Sequence, residues 1–195
     1  MTVRNLVALV YLSLIKDEKV FNYSLRRGIT AGMSVPLEQT IGSLLHSRGL
    51  KLATAESCTG GLIADLITNV PGSSDYFLGG VVAYSYEAKV VLLHVSWDTL
   101  RLKGAVSRET VIEMARGVRT TLGADIGISV SGIAGPGGAL PHKPVGTTWI
   151  GLSTLAGDWT RKFVWEGDRR SNKQSSAEAG LLLLLDYLDN KLENG

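Results

Sequence analysis

Apolar positions along this chain switch repeatedly between helical spacing and short continuous runs. Leu37, Ile41, Leu44 and Leu45 share one helical face, which Ser34 or Pro36 opens and Gly49 closes. Residues 50–55 form a compact run expected to be a buried strand, and Leu62, Ile63, Leu66 and Ile67 return to helical spacing before Pro71-Gly72-Ser73-Ser74. Behind Tyr76-Phe77-Leu78, the β-branched stretch over residues 79–85 predicts a second strand. Residues 87–93 predict a short helix and residues 97–102 a further turn. Ser107 then opens a strongly amphipathic helix with Val111, Met114, Ala115, Val118 and Leu122 on one face and a stop at Gly123. Strands follow over residues 125–132, 146–154 and 159–165, the last two joined by a hairpin turn at 155–158. A final helix over residues 171–192 carries Leu181 to Leu185 against the sheet. This alternation predicts a single α/β domain over residues 34–195, a three-layer α/β/α sandwich with a mixed sheet.

Residues 1–33 break the pattern. The apolar run from Leu6 to Ile15 follows Arg4, in the manner of a signal-peptide core. It falls short of the ~20 residues a spanning helix needs, and the charged Lys16-Asp17-Glu18-Lys19 after it offers no small-residue cleavage site. A secretory signal is not expected. The segment reads either as a helix or strand docking on the domain, or as residues preceding a start at Met33.

Composition narrows the function classes. Apolar residues make up 45% and charged residues 19%, which fits a packed core and argues against disorder. The 20 basic and 18 acidic residues are interspersed, with formal net charge +2 and no basic block, so nucleic acid is not an expected partner. Nor is a membrane. Cys58, the single cysteine, excludes an internal disulfide and fits a reducing, cytoplasmic setting. His46, His94 and His142 show no metal-ligand spacing, so no metal is expected.

Candidate chemistry gathers at three polar or glycine-marked turns at strand ends: residues 56–61, 84–89 and 131–138. Ligands in open α/β sheets bind beyond the carboxyl ends of strands, so the three turns are expected to share a crevice. In the first, Glu56-Ser57-Cys58-Thr59-Gly60-Gly61 runs from strand to helix, where unpaired amides favour an anion or a developing oxyanion. Ser57 or Thr59 can equally act as a plain helix cap. Cys58 competes with Ser57 as nucleophile, because a helix N-terminus lowers a thiol pKa, although a small buried cysteine is the commoner case. In the second turn, Lys89 falls where a helical turn can aim it back at the strand end beside Tyr84. A desolvated lysine there acts as a base and with Ser57 makes a serine–lysine dyad; a solvated surface lysine is the alternative. The third turn, Gly132-Ile133-Ala134-Gly135-Pro136-Gly137-Gly138, lacks the Gly-Lys-Ser/Thr ending of an NTPase loop and the spacing of a dinucleotide fingerprint.

Read jointly, these stretches carry a family likeness. Thr54-Ala55-Glu56-Ser57-Cys58-Thr59-Gly60-Gly61, Tyr84-Ser85 with Glu87-Ala88-Lys89, Gly104-Ala105-Val106-Ser107, Ser131 to Gly138, Lys143-Pro144-Val145-Gly146-Thr147 and Gly167-Asp168-Arg169 stand in the order of the CinA C-terminal domain family. The chain resembles that family from about Leu37 to its end, and the longer members' N-terminal domain has no counterpart expected in residues 1–33. Stand-alone members resemble amidases that hydrolyse the carboxamide of nicotinamide mononucleotide to the carboxylate and ammonia. The resemblance implies Ser57 as nucleophile and Lys89, with Tyr84 beside it, as proton carrier. It implies an oxyanion held by backbone amides of Cys58, Thr59, Gly60 and Gly61. Glu56, Gly132, Ala134, Gly135, Gly137, Gly138 and Arg169 are the implied substrate contacts, with Arg169 a partner for the phosphate; Arg169's alternative is a rim salt bridge with Asp168 or a neighbour. No cofactor is implied, a small-molecule nucleotide is the expected partner, and a homo-oligomer, a dimer by default, is the expected assembly. Lys173 stands where the family usually has an arginine, which keeps charge but loses the bidentate fork. Ala139 and Leu140 replace a more polar run, and His142 stands where an acidic residue is common. The rival reading is a nucleotide-binding or partner module without catalysis, in which Lys89 stays solvated and protonated. Metal-dependent pyrophosphate hydrolysis has no visible carboxylate cluster to support it.

Overall fold

The computed structural model describes residues 35–192. Ser34 and the segment 1–33, with the alternatives raised for it, lie outside the described residues. Helix α1 (Leu37–Arg48) starts after Pro36, whose fixed φ suits a helix entry, and ends where Gly49 turns left-handed. Strand β1 (Leu52–Glu56), helix α2 (Leu62–Thr68), strand β2 (Phe77–Val82) and helix α3 (Tyr86–Leu93) follow. Next come α4 (Trp97–Lys103), α5 (Arg108–Leu122), β3 (Ile126–Gly132), β4 (Thr147–Ser153), β5 (Asp158–Val164) and α6 (Arg169–Leu188).

Among the described residues the strands form one sheet in the order β2-β1-β3-β4-β5. The first three strands run parallel and β4 and β5 antiparallel, giving the mixed sheet expected from the alternation of elements. Side chains alternate across it. Leu52, Ile126, Ile128, Ile150 and Leu152 face α1, α2 and α6, while Ala53, Ala55 and Val81 face α3, α4 and α5. Large residues on one face and small ones on the other let α5 lie close to the sheet. Each fully buried Leu or Ile contributes about 1.5–3 kcal/mol, so the two cores together can offset a few buried polar groups at the strand ends.

Boundaries moved where capping chemistry decided them. The last helix begins at Arg169, because the Asp168 carboxylate accepts from the Ser171 amide at 2.7 Å. Residues 97–103 form a complete helix instead of a single turn, since Ser96 caps it by accepting from Asp98 N. β2 ends at Val82, and the Ala83 amide still donates to Glu56 O at 2.9 Å before the chain turns into α3. The carboxyl ends of β1, β2 and β3 thus lie together on one edge.

Candidate active site

Ser57 directly follows β1, and its amide donates to Val130 O at 3.0 Å, so the neighbouring strand fixes its backbone. Helix α3 is aimed at the same place. Ser85 accepts from Ala88 N at 3.1 Å, and this cap sets the first turn so that Lys89 points back under the strand ends. Lys89 is only 1% exposed. Its Nζ donates to Ser57 Oγ at 3.0 Å and to Ala83 O at 2.7 Å. Burial lowers its pKa to about 8, against a smaller opposing electrostatic effect of neighbouring Cys58. The solvated-lysine alternative does not fit this geometry.

The turn between Ser57 and α2 differs from the sequence expectation in two respects. Neither Ser57 nor Thr59 caps the helix. Glu56, 1% exposed, reaches across instead, and its carboxylate accepts from Thr59 Oγ1 (2.7 Å), Gly61 N (2.9 Å), Ile63 N (3.1 Å) and Ala64 N (2.9 Å). Glu56 therefore belongs to the scaffold of the turn and does not reach the cavity as a substrate contact. The Gly61 amide, expected to serve an oxyanion, is committed to Glu56; among the proposed oxyanion donors this leaves the amides of Cys58, Thr59 and Gly60. Gly61 has φ 102°, a left-handed conformation that a side chain there would strain. Cys58 packs into the core, and burial pushes its thiol up to about 12 despite backbone amides acting the other way. A thiol so placed is protonated at neutral pH and is a poor nucleophile.

A cavity of about 260 Å³ opens above Ser57 and Lys89. Gly132, Ala134, Gly135, Gly137 and Gly138 line one side, with Tyr84 and Arg169 at the mouth, so all three turns share one crevice. Gly135, with φ 87°, lies tight against Val145, where a β-carbon would collide with the valine side chain. Arg169 Nη1 donates to Gly135 O at 2.7 Å and Nη2 to Tyr84 Oη at 3.0 Å. Arg169 thus bridges the two sides of the mouth, and the rim salt bridge with Asp168 is not what holds it. Tyr84 is 62% exposed, with its hydroxyl on the arginine, and Lys89 meets Ser57 without it. Lys173, one turn further along α6, brings its ammonium beside Gly60.

Ile133 of the glycine loop also lines the cavity, as do Ala105 and Val106, of which no site role was expected. The Ser131 hydroxyl donates to Ala105 O at 2.7 Å and the Ala105 amide to Tyr86 Oη at 3.4 Å, which sets the apolar wall. The one available signal was the Gly104-Ala105-Val106-Ser107 stretch itself. Asn172 holds the opposite wall, donating to Ala134 O at 3.1 Å and accepting from Gly167 N at 3.0 Å.

The profile of the CinA C-terminal domain matches residues 34–188. The chain belongs to the CinA C-terminal domain family. A CinA-like protein of Chloroherpeton thalassium is 52% identical over 163 residues, 82% of this chain, and one of Chlorobaculum tepidum 48% identical over 164 residues, also 82%. The chain spans 39% of the length of each of these two relatives. A CinA superfamily protein from Klebsiella pneumoniae 700603 superposes with a TM-score of 0.76 at 34% identity, covering 79% of this chain and 96% of that one. The competence/damage inducible protein CihA of Agrobacterium tumefaciens gives a TM-score of 0.73 at 33% identity, covering 80% and 99%. The mixed sheet and helical layers of this CinA domain are therefore those of solved family members. No helix among the described residues is long and apolar enough to cross a membrane.

Proposed function

We propose that this CinA domain is an amidohydrolase that converts nicotinamide mononucleotide to nicotinate mononucleotide and ammonia, in pyridine-nucleotide recycling. The reading is carried by one observation, the 3.0 Å approach of a buried Lys89 Nζ to Ser57 Oγ. With Ala83 O holding one N–H, a neutral Nζ turns its lone pair toward the serine hydroxyl, which then donates to it. The Oγ proton passes to Nζ as Oγ bonds to the carboxamide carbon. The C–N bond then breaks, and Nζ returns that proton to the departing ammonia. Water attacks the resulting ester with Nζ again as base, Oγ is reprotonated, and the carboxylate leaves.

Several features support this assignment of roles. The amides of Cys58, Thr59 and Gly60 are the donors we assign to the oxyanion, each worth roughly 3–4 kcal/mol of barrier in comparable hydrolases. The apolar wall of Ala105, Val106 and Ile133 suits a pyridine ring. Arg169, at the mouth of the cavity, suits the phosphate. Arg169 sits in the first turn of α6, where the helix dipole disfavours a cation by about 0.3–1 kcal/mol. A local rule broken in this way is expected at functional positions.

Purified protein is expected to release ammonia from nicotinamide mononucleotide equally with and without a chelator, and Ser57→Ala to abolish release while its circular dichroism stays unchanged. Full activity in Ser57→Ala would refute the assignment. Binding of the mononucleotide by the native chain without turnover would leave a nucleotide-binding module in its place.

A further inference from the structure

Glu56 is a buried carboxylate beside the nucleophile that the hydrolytic steps do not use. Its backbone is locked: in register it pairs with Val82 of β2 on one side and Val130 of β3 on the other. Its two oxygens accept four hydrogen bonds within eight residues of chain. Oε2 takes Thr59 Oγ1, Gly61 N and Ile63 N, and Oε1 takes Ala64 N. Three of the amides that a helix entrance would present to an incoming anion, those of Gly61, Ile63 and Ala64, are thus already met by the chain's own carboxylate. The residues between the two anchored ends, 57–60, form a short bridge with little freedom left.

We propose that Glu56 is the positioning residue of this turn: it ties the entrance of α2 back to the end of β1, which holds Ser57 Oγ against Lys89 Nζ. The negatively charged part of the substrate is consequently received elsewhere in the crevice and not at the α2 entrance. The inference deepens the amidohydrolase reading and rests on it for its kinetic test. Glu56→Gln is an informative variant, because a carbonyl oxygen can replace Oε2 while the amide nitrogen places hydrogens against the Ala64 amide. Thr59→Val removes a single donor at similar volume, and Thr59→Ser keeps the hydroxyl.

The test measures ammonia release from nicotinamide mononucleotide, normalised to folded protein by circular dichroism, together with amide hydrogen exchange at Gly61, Ile63 and Ala64. Glu56→Gln is expected to lower kcat about 10- to 100-fold, the scale of a sub-ångström to ångström misplacement, with KM and the pH midpoint of kcat/KM unchanged. Exchange at the three amides quickens, Thr59→Val falls between Glu56→Gln and the native chain, and Thr59→Ser restores the native kcat. A raised KM at native kcat would overturn the proposal in favour of direct substrate contact, and a native kcat with native KM would overturn it outright. A second readout does not need the natural substrate: the rate at which phenylmethanesulfonyl fluoride modifies Ser57, followed by intact mass. If the native chain releases no ammonia yet Glu56→Gln slows that modification, the amidase reading fails and the positioning role stands. Equal modification rates overturn the positioning role.

Discussion

Lys89 sets the pH dependence that an activity from this site must show. Its amine titrates at about 8, where an unperturbed lysine titrates at 10.5. From a midpoint of about 8, roughly 9% of molecules carry the neutral amine at pH 7 and roughly 90% at pH 9. An ordinary lysine would be neutral in only about 0.03% at pH 7, so burial raises the competent fraction there about 300-fold. Initial rates of ammonia release at subsaturating nicotinamide mononucleotide, taken from pH 6.5 to 9.5 at constant ionic strength, report this limb directly. Above pH 6.5 the phosphate, whose second pKa is about 6, contributes little of the change. The expected curve for kcat/KM rises about tenfold between pH 7 and 9 and levels near 9. Lys89→Arg, with a guanidinium that stays charged throughout, is expected to lose about 10²–10⁴-fold at every pH. A flat profile, or one still climbing with a midpoint near 10.5, would refute the claim that a neutral Lys89 is the working base.

Other expectations follow from the same geometry. Lys89→Met should stabilise the fold at pH 7 by on the order of 1–3 kcal/mol. Between about 8 and 10.5 the unfolded chain holds the lysine proton that the native chain has lost, so native stability climbs with pH across that window and the advantage of methionine fades; melting temperatures at pH 7 and 10 test this. Cys58, with its thiol pushed up by burial, should resist iodoacetamide at pH 8 in the folded protein, and Cys58→Ala should keep most activity; rapid native-state alkylation would contradict the burial argument. Tyr84→Phe removes the acceptor of the Arg169 Nη2 hydrogen bond without touching Lys89, so steady-state kinetics should show a raised KM and a nearly unchanged kcat, whereas a large fall in kcat would give the phenol a part in proton transfer. Arg169→Lys should raise KM about tenfold through loss of its fork geometry.

Much of the architecture was legible because local and long-range signals agree in it. The face of Val111, Met114, Ala115 and Val118, bracketed by Ser107 and Gly123, specified α5 to within a residue. The runs at 50–55 and 125–132 carried enough apolar and β-branched character to place β1 and β3. The start of the last helix was misplaced because a cap is a hydrogen bond, and which of several polar residues makes it depends on where the chain arrives. Asp168, not Ser171, captured α6. The same limit governed the site. Ser57, Lys89 and the loop from Gly132 to Gly138 could be marked by residue type and by order along the chain. That Lys89 is buried, that Arg169 spans to Tyr84, and that Ala105 and Val106 form a wall depend on contacts between residues 26 to 85 positions apart, which no local pattern encodes.

Glu56 shows why the functional turn was harder to read than the fold around it. By residue type and position it suits substrate binding as well as structure, and only the directions of its four donors decide between them. Two buried ionisable side chains here do opposite things. Glu56 is fully met by fixed donors, which makes its turn rigid. Lys89 is met by one carbonyl and one hydroxyl, too few acceptors for a charged amine with three N–H groups, and so burial drives it toward the neutral form. A third good acceptor near Nζ would stabilise the protein and leave Lys89 charged. The under-satisfaction of that one amine is therefore the feature on which the proposed chemistry depends, and the rigidity supplied by Glu56 keeps Ser57 from drifting out of its reach.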